Sequence, residues 1–295
     1  MSRLILILSL LLSAMHLCVA DNRALLIGIG DYNTEVTGWR KIHGDNDVAL
    51  LHPLLQSQNF KVTTLVNAQA SKRNIVKAMK QLAQECKPDD NVYLHFSLHG
   101  QPVADCNGDE DKSYDEAIVP YDAYRSEGYA KTSKPYGGEN HLVDDEINPL
   151  LQTIRTKLGK GGRLFIVFDA CYSQGLEKGD NQLPDDIDID SLPEFMRGTA
   201  EFLNPTDKNY LKSLQPPADF PHGCLTAIVT ACRANERNFE FKAGDKYYGS
   251  LSYCISRLLR DNADFQHWIN YFQNNSYKSS GCFLKIQHPT ITLYQ

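Results

Sequence analysis

The sequence predicts an α/β protein with a mostly parallel central sheet and helices on both faces, an α/β/α sandwich. Four continuous apolar runs are typical of strands that are buried on both faces, and they cover residues 23–30, 91–100, 163–171 and 224–232. The segment 60–66 is a fifth expected strand. Helical patterns lie between these runs, and strand alternating with helix favours a parallel sheet.

Five segments carry the helical pattern: residues 44–58, 71–86, 144–159, 250–259 and 264–272. Ser71 is the expected N-cap of the second helix. The third opens with acidic residues and closes on Gly159, as a capped helix does. Pro53 is expected to kink the first helix or to delay its start. The segment 288–294 is a candidate for a strand that closes the sheet.

Two long segments interrupt the alternation of strand and helix. They span about residues 101–142, which are acidic and rich in tyrosine, and about 176–223, which contain several acids and prolines. Segments of this length without regular structure are usually functional or disordered. We therefore expect one domain over residues 21–295 with two long insert loops.

The first 20 residues have the pattern of a secretory signal peptide. Arg3 precedes an apolar run from Leu4 to Leu12, and small residues follow up to Ala20. We expect cleavage at about Ala20 and export to the periplasm or the medium, with no membrane segment in the mature form. An uncleaved membrane anchor is the alternative.

Charge and cysteine content exclude several classes of function. The net charge of −6 gives no indication of a nucleic-acid partner, and we expect a monomer. The chain has eight cysteines, of which seven remain once Cys18 is removed, so at least one thiol is free in an exported protein. There is no Cys-x-x-Cys pair, which argues against a zinc site.

The ends of three predicted strands bring chemically reactive residue types together. In open parallel sheets, ligands bind beyond the carboxyl ends of the strands. Asp45 and Asp47 follow the first strand, Ser97, His99 and Gly100 end another, and Asp169 and Cys171 end a third. An imidazole beside a thiol generates a thiolate nucleophile for acyl transfer, and Gly100 lets backbone N–H approach an oxyanion.

The stretches "VYLHFSLHG" and "LFIVFDACYSQG" together resemble the caspase-like fold, closest to the metacaspases and their bacterial relatives. The resemblance extends from about Arg23 to Leu259 and includes "GDNDV", "DEDKSYDEAIVPYDA", "DDEI" and "IVTACRANERNFE". It implies that Cys171 is the nucleophile, that His99 is the general base and acid, and that the N–H groups of Gly100 and Cys171 form the oxyanion hole. Two departures are Leu98, where the family has Gly, and one residue inserted after Ser173.

The resemblance also implies a substrate. Where caspases carry residues that bind an aspartate, this chain has Asp47 and Asp169, with Ser97 nearby. Two carboxylates in one pocket suit a guanidinium or an ammonium group. The expected partner is therefore a polypeptide with Arg or Lys at P1, the residue before the scissile bond. The alternative role for Asp47 is to stabilise the helix dipole.

No cofactor is required by this chemistry, but calcium is a candidate ligand. In metacaspases a calcium site near the cleft uses acids between the His and the Cys, and the matching acids here are Asp115, Asp144 and Asp145. The expected acid after the Cys falls at Lys178, with Glu177 one residue earlier. An EF-hand over residues 105–116 is disfavoured because Glu110 stands where such loops need Gly.

The leading interpretation is a secreted or periplasmic cysteine endopeptidase that cleaves after basic residues. A catalytically weak caspase-like module that binds a partner or a basic peptide is the second. A nucleotide-binding protein is a third interpretation, resting only on Gly28 and Gly30. The segment after Cys171 is expected to be exposed and is a candidate for self-cleavage at Lys178, Arg197 or Lys208.

Overall fold

The computed structural model describes residues 20–108, 114–131, 134–170, 195–199, 201–215, 223–233 and 236–295. The strands, in chain order, are β1 (Asn22–Gly28), β2 (Phe60–Val66), β3 (Asn91–Ser97), β4 (His99–Ala104), β5 (Tyr114–Val119), β6 (Leu142–Val143), β7 (Arg163–Asp169), β8 (Leu225–Thr230), β9 (Glu240–Ala243), β10 (Lys246–Gly249) and β11 (Thr290–Tyr294). The α-helices are α1 (Thr34–Thr37), α2 (Gly44–Ser57), α3 (Lys72–Glu85), α4 (Asp144–Leu158), α5 (Asn209–Lys212), α6 (Ser250–Arg260) and α7 (Phe265–Gln273). The predicted signal peptide lies outside these residues, except for Ala20.

A six-stranded sheet in the order β11-β8-β7-β3-β1-β2 forms the centre of the molecule. All neighbouring pairs are parallel except β11 with β8, which is antiparallel. The predicted mostly parallel sheet is therefore confirmed, and the segment 288–294 does close one edge of it. No helix in the described ranges is long and apolar enough to span a membrane.

Alternate residues of the central strands enter two hydrophobic cores, one on each face of the sheet. In β1, Leu25 and Ile27 pack into one core, whereas Ala24 and Leu26 pack into the other. Helices α3 and α4 cover the first face. Helices α2, α6 and α7 cover the second. Burial on both faces explains why the strands are continuous apolar runs rather than alternating ones.

The helix ends follow the sequence signals. The hydroxyl of Ser71 accepts a hydrogen bond from the N–H of Asn74 and so caps α3. Gly159 ends α4 with a φ of 62°, a conformation that glycine adopts without strain. Pro53 does not delay the start of α2, because it and Ala49 both lie on the exposed face. The carbonyl that loses its N–H partner there can bond to water.

Two expectations about chain segments are wrong. The run 91–100 is not one strand: β3 ends at Ser97, and His99 begins β4 in a second sheet with order β4-β5-β6. The segment 101–142 therefore contains most of β4 and the whole of β5, so it is not a loop throughout. Backbone pairing in this antiparallel sheet satisfies polar groups that an irregular buried loop would leave without partners.

Candidate active site

The carboxyl ends of β7, β3 and β1 are neighbours, as the strand-end argument requires. Ser97 pairs in register with Asp169 on one side and with Gly28 on the other. The first turn of α2 packs directly on this edge. A Cβ on Gly44 would lie 2.1 Å from the carbonyl oxygen of Ser97, so only glycine allows this approach. The close packing brings Asp47 to the strand ends.

Asp47, Ser97 and Asp169 form the floor of one buried pocket. The hydroxyl of Ser97 donates to Oδ2 of Asp47 at 2.6 Å. The side chain of Asn238 donates to Oδ1 of Asp169 at 2.8 Å. The three predicted substrate-binding residues are therefore brought together, and each is fully buried.

The N-terminus of α6 holds both aspartates. The N–H of Gly249 lies 3.0 Å from Oδ1 of Asp47. The N–H and the hydroxyl of Ser252 lie 2.8 and 2.6 Å from Oδ2 of Asp169. Free N–H groups at a helix N-terminus favour carboxylates. The pocket thus joins the ends of β3 and β7 to the first turn of α6, which lies much later in the chain.

A third carboxylate, Glu240, was not identified as a site residue from the sequence. It begins β9, and both its oxygens contact His43: Oε1 accepts the backbone N–H at 2.8 Å, and Oε2 lies 2.6 Å from Nδ1. The only sequence signal was its place at the end of the family-like stretch "IVTACRANERNFE". The hydrophobic periodicity of a strand as short as β9 does not predict which residues its side chains contact.

The pocket is filled by a residue of the same chain, Arg197. Nη2 lies 2.7 Å from Oδ2 of Asp47 and 2.9 Å from Oε1 of Glu240. Nη1 lies 2.7 Å from the hydroxyl oxygen of Ser97 and 3.5 Å from Oδ1 of Asp169. Arg197 is fully buried, so the expectation that this part of the linker is exposed is wrong at this residue. Three carboxylates around one cation outweigh the cost of removing the guanidinium from water.

The backbone around Arg197 pairs with residues 238–240 like an added antiparallel strand. Its N–H donates to the carbonyl of Asn238 at 2.9 Å, and the N–H of Glu240 donates to the carbonyl of Phe195 at 3.1 Å. On the other side, the N–H of Thr199 reaches the carbonyl of Gly100 at 3.3 Å. An extended peptide that forms main-chain hydrogen bonds and inserts one side chain into a pocket is a recurring mode of peptide recognition.

The charges in the pocket shift the ionisation of its members. Burial raises the pKa of Asp47 to about 7, with Asp169 and Glu240 adding to the rise and Arg197 opposing it. Burial would also raise the pKa of Glu240, but Arg197 and His43 outweigh it and lower this pKa. Burial of Arg197 acts to lower its pKa, but Asp47, Asp169 and Glu240 outweigh this effect and raise the pKa, so Arg197 remains a cation. The guanidinium stabilises the ionised carboxylates around it.

His99 is oriented with one ring nitrogen ready to accept a proton. Nε2 lies 2.8 Å from the carbonyl oxygen of Arg40, which can only accept, so Nε2 carries the hydrogen. Nδ1 has no hydrogen-bond partner among the residues that the structure describes. The ring contacts those of Trp39 and Tyr32, with centroid distances of 4.9 and 5.0 Å. Burial lowers the pKa of His99 to about 4, so the imidazole is neutral at pH 7.

Cys171 lies outside the described residues, and so does Lys178. The last described residue before it is Ala170, which directly follows the end of β7. Gly100 lies in β4 opposite Ile118, beside His99. The structure thus describes the imidazole and the pocket but not the thiol.

Two of the three predicted calcium ligands are buried beside one another. Asp115 and Asp145 are 2 % and 6 % exposed, and they flank the paired residues Ala117 and Val143 of β5 and β6. The amide of Asn107 donates to Oδ2 of Asp145 at 2.7 Å. Within the described ranges, no three His, Cys, Asp or Glu side chains form a metal-binding group. Residues 109–113 and Glu177 fall outside them, so the calcium site stays a prediction.

Comparison with known structures supports the fold. A protein of Geobacter sulfurreducens with a solved crystal structure superposes with a TM-score of 0.65 and 16 % sequence identity. The match covers 92 % of this chain and 93 % of that one. At this identity the likeness shows a shared α/β architecture.

Sequence comparison shows the family. Residues 22–177 match the metacaspase, peptidase C14 domain, and the chain belongs to this family. Metacaspase-1A of Aspergillus niger is 33 % identical over 168 residues, which are 53 % of this chain and 36 % of that protein. Metacaspase-1B of Aspergillus fumigatus is 34 % identical over 164 residues, with the same two shares. The match thus spans about a third of each relative, and Arg197 and Glu240 lie beyond residue 177.

Proposed function

We propose that this protein is a cysteine endopeptidase that uses Cys171 and His99 to cleave peptide bonds after arginine or lysine. The observation that carries the proposal is the side chain of Arg197, which reaches three carboxylates in a pocket beside His99. A basic residue in that pocket, on a strand-like backbone, is what a bound substrate would present.

In the proposed reaction, Nδ1 of His99 takes the proton of the Cys171 thiol, and the thiolate attacks the carbonyl carbon of the scissile bond. The N–H groups of Gly100 and Cys171 stabilise the oxyanion that forms. The imidazolium then gives its proton to the leaving amine, and water releases the acyl group from sulfur. The hydrogen bond from Nε2 to Arg40 supports this role, because it leaves Nδ1 as the basic atom.

Specificity follows from the charge of the pocket. An arginine at P1 satisfies Asp47, Asp169 and Glu240 together, whereas an aspartate would add a fourth negative group to a site closed to water. Leaving buried carboxylates without a cation costs several kcal/mol. The expected discrimination is on the order of a thousandfold in kcat/KM.

We also propose that the bond between Arg197 and Gly198 is the first one cut. The structure describes two of the three residues predicted for self-cleavage. Arg197 is in the pocket, whereas Lys208 is half-buried. The backbone of residues 195–197 pairs with residues 238–240 in the way expected for a bound substrate.

The same observation favours a second candidate function. If the Arg197–Gly198 bond is not cut, the segment is a permanent occupant of the pocket, and the protein would be a catalytically weak module. The two functions differ in one property, the fate of that bond.

The test uses purified protein and fluorogenic tripeptides that end in Arg, Lys, Asp or Leu. Wild type is compared with Cys171→Ala, both freshly prepared and after incubation, with a denaturing gel run in parallel. We expect cleavage of the Arg and Lys peptides by wild type alone, and a cut in the chain at Arg197. Equal hydrolysis of the Asp peptide, or full activity of Cys171→Ala, contradicts the proposal.

Two further proposals concern location and metal. We propose export after cleavage at about Ala20, which mass analysis of the mature N-terminus tests. We also propose that calcium binds at Asp115, Asp144 and Asp145, supported by the burial of Asp115 and Asp145, each of which is two residues from the paired Ala117 and Val143.

A further inference from the structure

The side chain of Phe195 lies in an aromatic corner beside the carboxylate-lined pocket that Arg197 fills. Its ring meets the edge of His43 at a centroid distance of 4.6 Å and an interplanar angle of 88°. It packs against Tyr247 at 4.8 Å and 68°. His43 and Tyr247 themselves stack at 5.2 Å. Edge-to-face contacts at such distances are the favoured geometry of aromatic pairs.

The position of Phe195 relative to Arg197 is that of a substrate side chain two residues before P1. Alternate side chains of an extended strand point to the same side, and the hydrogen bonds at Asn238 and Glu240 keep this segment extended. Phe195 is therefore in the P3 position of the peptide that occupies the site. Met196, between them, belongs to the opposite side.

The corner is held by contacts that do not involve Phe195. Nδ1 and the N–H of His43 are both bound to Glu240, which also binds Arg197. The side chain of Asn46 donates to the carbonyl of Tyr247 at 3.1 Å, and the ammonium of Lys242 lies 5.3 Å from the Tyr247 ring centre. His43 and Tyr247 are thus each held by neighbours other than Phe195. Glu240, which contacts both His43 and Arg197, links this corner to the pocket that Arg197 fills.

We propose that His43 and Tyr247 form a second specificity subsite, which binds an aromatic side chain at the third residue before the scissile bond. This inference rests on the proposed peptidase function and narrows the substrate class to peptides of the form aromatic-x-Arg or aromatic-x-Lys. It also gives Phe195 a role in keeping Arg197 in place.

The first experiment measures peptide preference. Two fluorogenic peptides, Phe-Met-Arg and Ala-Met-Arg, are compared on wild type, Tyr247→Leu and Tyr248→Leu. We expect wild type to favour the Phe peptide by about tenfold in kcat/KM, as a packed aromatic pair can provide, and Tyr247→Leu to lose this preference. Tyr248 is the matched control, because its ring packs on Tyr253 at 5.6 Å instead. Cleavage of both peptides at equal rates by wild type overturns the subsite and leaves the proposed function intact.

The second experiment does not need the protein's own activity. In the Cys171→Ala background, added trypsin reports how often the Arg197–Gly198 bond leaves the pocket. We expect Phe195→Ala and Tyr247→Leu each to speed this cut by about tenfold, and Tyr248→Leu to leave it unchanged. Unchanged trypsin rates in Phe195→Ala overturn the subsite. An inactive wild type with faster cutting in Phe195→Ala contradicts only the peptidase proposal.

Discussion

Nη2 of Arg197 lies 2.7 Å from Oδ2 of Asp47, although 150 residues separate them in the chain. Both side chains are fully buried. Arg197 thus occupies the pocket in the way that a basic ligand would. The ionisation of the pocket carboxylates therefore depends on whether Arg197 is in place. Each charged group in the pocket therefore affects both the stability of the fold and the access of a substrate side chain to the pocket.

Replacement of Arg197 is expected to lower stability and open the pocket. Arg197→Ala leaves three carboxylates without their cation, at a cost of about 3–5 kcal/mol in the free energy of unfolding. The same variant is expected to cleave a tripeptide ending in Arg without a lag. Denaturant unfolding and initial rates measure the two effects. Lys208→Ala is the control, and an Arg197→Ala protein as stable as that control contradicts the ion-pair assignment.

Neutral replacements in the pocket are expected to weaken the preference for basic residues. Asp47→Asn and Asp169→Asn keep the shape of the side chain but remove one charge. We expect each to reduce kcat/KM for an Arg peptide by about 100-fold. Asp45→Asn, in the same turn of α2, is the matched control, since within the described part of the chain Asp45 accepts hydrogen bonds from Asn46 and Asn67 and from no pocket residue. The pocket assignment is rejected if Asp45→Asn has the larger effect.

Loss of either proposed catalytic residue is expected to abolish peptidase activity while the fold persists. Cys171→Ala and His99→Ala are each expected to lose at least about a thousandfold in kcat. Residues that act as a unit do not contribute additively, so the double variant should be no slower than either single one. Circular dichroism checks the fold. A further large loss in the double variant means that the two residues act independently.

Stability is expected to fall on acidification below pH 6.5. Burial lowers the pKa values of His95 and His141 to about 3 and that of His99 to about 4. Between these values and 6.5 the unfolded chain binds three protons that the folded chain does not. Asp47, whose folded pKa is raised to about 7, offsets one of them. The free energy of unfolding should therefore drop by roughly 3–4 kcal/mol from pH 6.5 to pH 5.

Denaturant titrations at several pH values measure this slope. His141→Gln removes one titrating group and should reduce the slope by about 1.4 kcal/mol per pH unit, whatever it does to absolute stability. Stability that is constant or rises from pH 6.5 to pH 5 would falsify the buried neutral state of these histidines.

Calcium is expected to raise activity through the acids near β5 and β6. A bound ion would neutralise Asp115 in β5 and Asp145 in the first turn of α4, both of which are buried. Rates are measured against free calcium at millimolar levels and below, for wild type, Asp144→Ala and Asp145→Ala. Glu116 is the last residue of the disfavoured EF-hand loop over residues 105–116. Glu116→Ala should therefore respond to calcium as wild type does. Identical wild-type rates in calcium and in excess chelator reject the site.

The main sheet was predictable because its four inner strands, β1, β3, β7 and β8, are largely buried on both faces and form continuous apolar runs. Part of the pocket floor was predictable for a related reason: Ser97 and Asp169 end such runs, and parallel strands bring their ends to one edge. Asp47 lies in the first turn of α2, and it was the resemblance to the family that implied its place in the pocket. The break at Leu98 was not predictable from periodicity. Leu98 is itself apolar and fully buried, so the run shows no change where one sheet ends and the next begins.

Glu240 and the burial of Arg197 escaped sequence reasoning because both depend on pairing between distant segments. A four-residue edge strand such as β9 has too few residues for a periodic signal. An arginine in a polar, proline-rich segment is ordinarily exposed. It is buried here because it meets three carboxylates, and their meeting is a product of the fold.

The ladder between β7 and β8, which joins Arg163–Phe168 to Leu225–Thr230, has a consequence for a chain cut at Arg197. Each of the two fragments would contain part of the six-stranded sheet: β1, β2, β3 and β7 lie in the first fragment, and β8 and β11 lie in the second. Asp169 would also stay hydrogen-bonded to Ser252 across the divide. A nicked protein is thus expected to migrate as one particle in gel filtration, and to separate into two polypeptides only when denatured.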